Sequence, residues 1–265
     1  MHPRDCPGGG GGVPGWDYEP APNAHAIILQ RVEDLLIRLR ADCDECSQTA
    51  CDTRSAHEVM FAGLTPTACE CFAGNYRGSN HRCLQFYTVH VPADPRVGHQ
   101  PEVVDYAMTS LSALIAASIT SADSFAAQRS RRALIRHLVK VAARMFEMFC
   151  RIHPYANGNG HAARLLVCAL LGRYDVWMKD WTVEPRPRDP NYSSAISDYR
   201  TIVWDRAEPW SGPPLELEKM LLRCIAGTQL QLQHPPPAQP PVPRTAAVAI
   251  PIAVMPDDDS APHRA

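Results

Sequence analysis

The chain has 265 residues, of which 45% are hydrophobic and 20% charged. That balance excludes an intrinsically disordered chain and leaves room for one substantial domain with tails, or two small ones. A formal net charge of −2 argues against a nucleic-acid partner and against an anionic membrane surface, since both favour a strong basic excess.

Residues 1–24 are rich in glycine and proline, with an unbroken run from Gly8 to Gly12, and are expected to be disordered or a linker. No apolar segment follows Met1, so no signal peptide is expected. The most apolar interior stretch, Leu165–Leu171, is shorter than the roughly 20 residues a bilayer needs. A soluble, cytoplasmic protein with no membrane partner is therefore expected, export without a cleaved signal staying open.

Ala26–Arg40 has helical apolar spacing and, with a cysteine-rich connector, fills residues 25–55. Cys43-x-x-Cys46 has metal-ligand spacing, and Cys51, Cys69, Cys71, Cys83 or His57 could add ligands to a structural zinc. Reduced, partly buried thiols are the simpler reading. Cys83–Val91 is β-branched and aromatic between two turn-forming runs, which predicts a strand or hairpin. Helices are predicted at Glu102–Ser118, Arg131–Ile152, Gly160–Leu171, Tyr192–Asp205 and Leu215–Thr228. The second of these is the clearest, because Leu134, Leu138, Val141, Met145, Met148 and Ile152 advance by 4, 3, 4, 3 and 4 residues. Gly172 is a natural stop for the third. Cys150, Cys168 and Cys224 are expected on apolar helix faces, and His90, His99 and His137 at the surface or in packing roles. Residues 233–265 turn proline-rich and end in the acidic run Asp257–Asp259. They are expected to lack a core, with a ligand for proline-binding modules as the sharper alternative.

The chemistry concentrates in the run His153-Pro154-Tyr155-Ala156-Asn157-Gly158-Asn159-Gly160-His161-Ala162-Ala163-Arg164. A core helix ends near His153, where Pro154 removes a backbone donor. The two glycines permit positive φ and let backbone N–H groups converge. The next helix starts at once, so its unsatisfied N–H groups form an anion-binding nest. Arg164 lies one turn along that helix, four residues after Gly160, and can reach the same anion. A titratable imidazole beside a phosphate cradle points to phosphoryl or nucleotidyl chemistry with His153 as general base.

These twelve residues resemble the signature of the Fic family, H-P-F-x-(D/E)-G-N-G-R-x-x-R, in the same register. Ala73-Gly74-Asn75-Tyr76-Arg77 resembles the family's G-x-Y-R segment, His57–Phe61 the helix before its flap, and Asn191–Ile196 a helix downstream. The likeness covers about residues 56–228, expected to form a Fic domain. The resemblance implies a mainly α fold, a Fic-type helical bundle with a short β-hairpin flap. It implies that His153 deprotonates a Ser, Thr or Tyr hydroxyl of a target protein, which then attacks the α-phosphate of a nucleotide donor, normally ATP. Gly158, Asn159 and Gly160 would form the anion hole and Arg164 would hold the terminal phosphates. The segment Leu84–Val91 would be the flap that pairs with the target.

Two positions depart from the signature. Asn157 stands where members carry the Asp or Glu that ligates Mg²⁺, and a neutral amide is a poor ligand for that cation. His161 replaces an arginine and offers no bidentate fork. Asn157 and His161 are thus nucleotide- or phosphate-binding candidates in a weakened cradle, with no metal ligand expected. No inhibitory (S/T)-x-x-x-E-(G/N) motif occurs, so restraint would come from a separate inhibitory partner or from the weakened site itself. Two readings follow: a transferase of AMP or another phosphate-containing group, or a catalytically degenerate Fic domain that binds nucleotide or protein.

Overall fold

A computed structural model describes residues 15–89, 91, 97–178, 180–205 and 213–225. Among these residues are eight α-helices and no β-strand. The helices are α1 (Ala24–Ala41), α2 (Cys43–Cys51), α3 (Arg54–Phe61), α4 (Pro101–Gln128), α5 (Arg131–Ile152), α6 (Asn159–Gly172), α7 (Tyr192–Asp205) and α8 (Glu216–Ile225). The mainly α expectation therefore stands.

The sequence explains the principal boundaries. Ser130 caps α5 by accepting from the Ala133 N–H, and Pro101 opens α4 where its missing donor costs nothing. The cysteine-rich connector is itself a helix, α2, capped by Asp42, whose carboxylate accepts from Asp44 and Glu45. Its short length and polar content hid its periodicity. The fourth helix runs ten residues beyond the expected Ser118, on alanine and serine that tolerate a helix. Among the described residues it is also the one helix long and apolar enough to cross a membrane by length and composition, a length the more apolar Leu165–Leu171 does not reach.

The centre of the bundle is α6. From His161 to Gly172 every residue is buried, as expected of a helix apolar on all sides. It packs against α5, α2, α1 and α3. Burying α6 aims its N-terminus at the loop that joins it to α5. That is the step by which composition places the site.

Two expectations need correction. Residues 15–24 are not disordered. Trp16 is 5% exposed and Tyr18 6%, and both join the core. The Trp16 ring lies against Phe61 and Phe72, and its Nε1–H donates to the Leu64 carbonyl at 2.9 Å. The β-hairpin flap is also not seen. Residues 82–86 form successive turns, with Leu84 N–H donating to His81 O and Tyr87 N–H to Leu84 O. The apolar side chains that suggested a strand serve burial instead, since Cys83 and Leu84 lie in the core.

Cys43, Cys46, Cys51, Cys69, Cys71, Cys150, Cys168 and Cys224 are free thiols, while Cys83 is disulfide-bonded. Among the described residues no three His, Cys, Asp or Glu side chains come together as a metal site, so the zinc alternative gains no support. Cys46 is buried and its thiol donates to Leu39 O, whereas Cys43 is exposed. His137 stacks on Phe125. The Gly8–Gly12 run, His90, the last three residues of the helix expected to reach Thr228, and the proline-rich tail lie outside the described residues.

Candidate active site

The α5–α6 loop carries the candidate residues. His153 is the C-cap of α5 in the left-handed region, with φ 55° and ψ 60°. This conformation folds its imidazole back on the last helical turn, where Nδ1 lies 3.1 Å from Cys150 O. A carbonyl only accepts, so Nδ1 carries the proton and Nε2 keeps its lone pair. Burial, reinforced by the cations Arg77 and Arg200, lowers the His153 pKa to about 4, against a smaller opposing effect of the Cys150 hydrogen bond. The imidazole is therefore neutral at pH 7, the form a general base requires, though a modest base.

The loop is held from inside. Asn159 clamps it: its Oδ1 accepts from the Tyr155 N–H and its Nδ2 donates to the Tyr155 carbonyl, both at 2.8 Å. Tyr155 is fully buried and stacks on His57, with ring centroids 3.6 Å apart. Its hydroxyl meets that of Thr53 at 2.8 Å, which explains why tyrosine replaces phenylalanine here without an orphan polar group.

His57 supports the loop in turn. Its Nδ1 accepts from the Gly74 N–H, so its Nε2–H donates to the Asn157 carbonyl at 2.9 Å. Gly158 is left-handed at φ +75°, and an added Cβ would sit 2.3 Å from Phe61 Cε2. Glycine is required there both by conformation and by space.

The anion nest is narrower than the sequence suggested. Gly158 N–H is already bonded to Asn157 Oδ1 at 2.7 Å. Among the described residues, the N–H groups of Asn159, Gly160 and His161 have no protein acceptor and no side chain caps them. The partly exposed members of the run from His153 to His161 are His153, Asn157 and Gly160, so solvent reaches the loop beside the imidazole and the α6 N-terminus.

The polar side chains around the nest are engaged elsewhere. The Asn157 Nδ2 donates to Trp16 O at 2.8 Å, so both ends of its amide are used within the protein. A hard divalent ion favours a charged carboxylate, and Asn157 offers one neutral oxygen that already accepts from Gly158 N–H. Asn157 does not fit the Mg²⁺ role. Arg164 is 5% exposed and its Nε and Nη2 donate to the Val183 carbonyl at 3.0 and 2.7 Å. It still borders the nest, with Nη1 3.0 Å from where a Gly160 Cβ would stand. His161 Nε2 lies 2.5 Å from Glu184 Oε2, while Glu184 Oε1 lies 3.0 Å from His25 Nδ1. Burial raises the Glu184 carboxyl, but the bonds from the two histidines outweigh it and hold it below the usual range. The sequence reading missed Trp16, His57, Arg77 and Glu184. Only His57 and Arg77 lay in segments it had singled out.

With that geometry in view, comparison with known protein families is informative. Residues 49–171 match the family model of the Fic/DOC family, which supports reading this segment as a Fic domain. The matched segment spans α3 to α6 and so contains His153, the loop and the nest. No curated protein matches the chain.

Proposed function

We propose that this Fic domain moves AMP, or another nucleotide- or phosphate-containing group, from a nucleotide donor such as ATP onto a Ser, Thr or Tyr hydroxyl of a protein. The observation that carries this reading is the juxtaposition of a neutral imidazole, Nδ1–H bonded to Cys150 O, with three uncapped N–H groups at the α6 N-terminus. Nε2 of His153 takes the hydroxyl proton as the oxygen attacks phosphorus. The bond from phosphorus to its leaving group breaks, and the released group takes the electron pair. The nest at Asn159, Gly160 and His161 holds phosphate oxygens where charge accumulates. Arg164 beside Gly160 adds a fixed cation. No step runs through a metal at Asn157, whose neutral oxygen, shared with Gly158 N–H, is a poor ligand for Mg²⁺.

The target would dock along Leu84–Val91. Phe86, 70% exposed, offers it an apolar anchor beside Tyr87, whose carbonyl is tied to Arg77.

A second reading is favoured by a specific observation. Asn157, His161 and Arg164 all bond within the protein, to Trp16 O, Glu184 and Val183 O. On that reading the domain binds a nucleotide or a protein without turning it over. Intact-mass measurement separates the two, after incubation with each nucleoside triphosphate and nucleotide-linked donor, with Mg²⁺ or with EDTA. A covalent mass gain equal to the donor less its leaving group, on the chain or on an added protein, supports transfer. Donor binding with no mass gain from any donor favours the binding module.

A further inference from the structure

Arg77 is wholly buried, yet each of its side-chain hydrogen bonds goes to a backbone carbonyl. Nε donates to His153 O at 2.9 Å, Nη2 to Ile152 O at 3.2 Å and His99 O at 3.0 Å, and Nη1 to Tyr87 O at 3.1 Å. Its own backbone N–H donates to Pro154 O at 2.8 Å. Burial lowers its pKa to about 10, so it remains a cation at neutral pH. Sequestering a guanidinium without a carboxylate is costly, and a purely structural core has cheaper solutions.

The pattern of acceptors is the informative part. Ile152, His153 and Pro154 are three consecutive carbonyls at the end of α5, where orphan acceptors and the negative end of the helix dipole gather. They flank the left-handed turn of His153, a conformation that a non-glycine residue rarely adopts. The other two acceptors are Tyr87, within the proposed target-docking stretch, and His99, just before α4. A single fork therefore ties the backbone of the base to the Tyr87 and His99 carbonyls.

We propose that Arg77 is the positioning residue of this site: it holds His153 in its left-handed turn and sets the base in register with Tyr87 of the docking stretch and with His99. Arg77 touches neither donor nor target. The proposal rests on the reading of His153 as the base.

Two variants and one wild-type measurement test it. Arg77→Lys keeps the charge and loses the fork; Arg77→Gln keeps an amide donor and loses the charge. In ¹⁵N-histidine NMR of wild type, His153 is expected as the neutral tautomer with protonated Nδ1 and bare Nε2, and the Arg77 Nε–H should exchange slowly with solvent. In Arg77→Lys, donor Kd should stay within about twofold. The transfer rate should fall roughly 10²-fold, the scale of an ångström-sized misplacement, and the His153 tautomer signature should be lost or mixed. Arg77→Gln should be no better than Arg77→Lys.

A folded Arg77→Lys with the wild-type tautomer and transfer rate overturns the proposal. Where the variants do not fold, a freely exchanging Arg77 Nε–H or a protonated Nε2 on His153 in wild type overturns it. If wild type transfers nothing, the functional reading fails while the tautomer measurement still decides the role of Arg77.

Discussion

Replacing Asn157 with aspartate restores the family's residue and should nevertheless damage this protein. The Asn157 amide donates to Trp16 O at 2.8 Å, and a carboxylate in its place would set two acceptors against each other. The lost hydrogen bond is worth about 1 kcal/mol, and leaving the Trp16 carbonyl unpaired against a partly buried charge adds roughly 1–2 kcal/mol. The sum is about 2–3 kcal/mol. For a folded part of this size, 1 kcal/mol moves the melting temperature by roughly 2–4 °C, so Asn157→Asp should melt about 5–10 °C below wild type. Thermal denaturation followed by circular dichroism reads this directly. Added Mg²⁺ should leave the wild-type melting temperature unchanged, since the Asn157 oxygen is bonded to Gly158 N–H. An Asn157→Asp protein as stable as wild type, or a wild type stabilised by Mg²⁺, would refute the assignment of Asn157 as the tie between the loop and Trp16.

Two further outcomes follow from the loop's supports. Gly158→Ala puts a Cβ 2.3 Å from Phe61 Cε2 and 2.9 Å from His57 Nε2 in a left-handed conformation. It should lose about 3–4 kcal/mol from strain and overpacking together, and an unchanged melting temperature would contradict the geometry. Stability should also fall with acid. Burial lowers the His57 pKa from 6.5 to about 3, so between those values the unfolded chain binds a proton that the folded one refuses. The contribution is present in full above pH 6.5 and is lost as pH falls toward 3, with His153 acting in the same direction down to about pH 4. From pH 7.5 to 5, His57 alone should cost about 2 kcal/mol. Denaturant unfolding of wild type and His57→Gln checks it: the variant's stability should vary less with pH, and an equal slope would exclude His57 as the source.

The parts of the structure that the sequence made legible are those governed by short-range periodicity and local chemistry. The seam of α5 predicts Arg131–Ile152 to the residue, and Tyr192–Asp205 likewise. The glycine loop announces a nest because its conformational requirement is local. What failed depends on distant partners. Trp16 lies among glycines and prolines, and its order comes from Leu64, Phe61, Phe72 and Asn157, none near it in sequence. Glu184 meets His161 across 23 residues, and nothing in the local pattern of either marks the other. The strand expected at Cys83–Val91 rested on β-branched and aromatic content, which also suits buried turns. Asn157 and His161 looked like losses when read singly. In the structure each has an internal partner that the family's usual residue would not match in the same way.

The central claim is that His153 is the base of a transfer site. The most direct measurement pairs wild type with His153→Ala, following transfer from a labelled donor and donor binding side by side. His153→Ala should bind the donor as wild type does and transfer the group at least about 10²-fold more slowly. Equal transfer by the two proteins would contradict it.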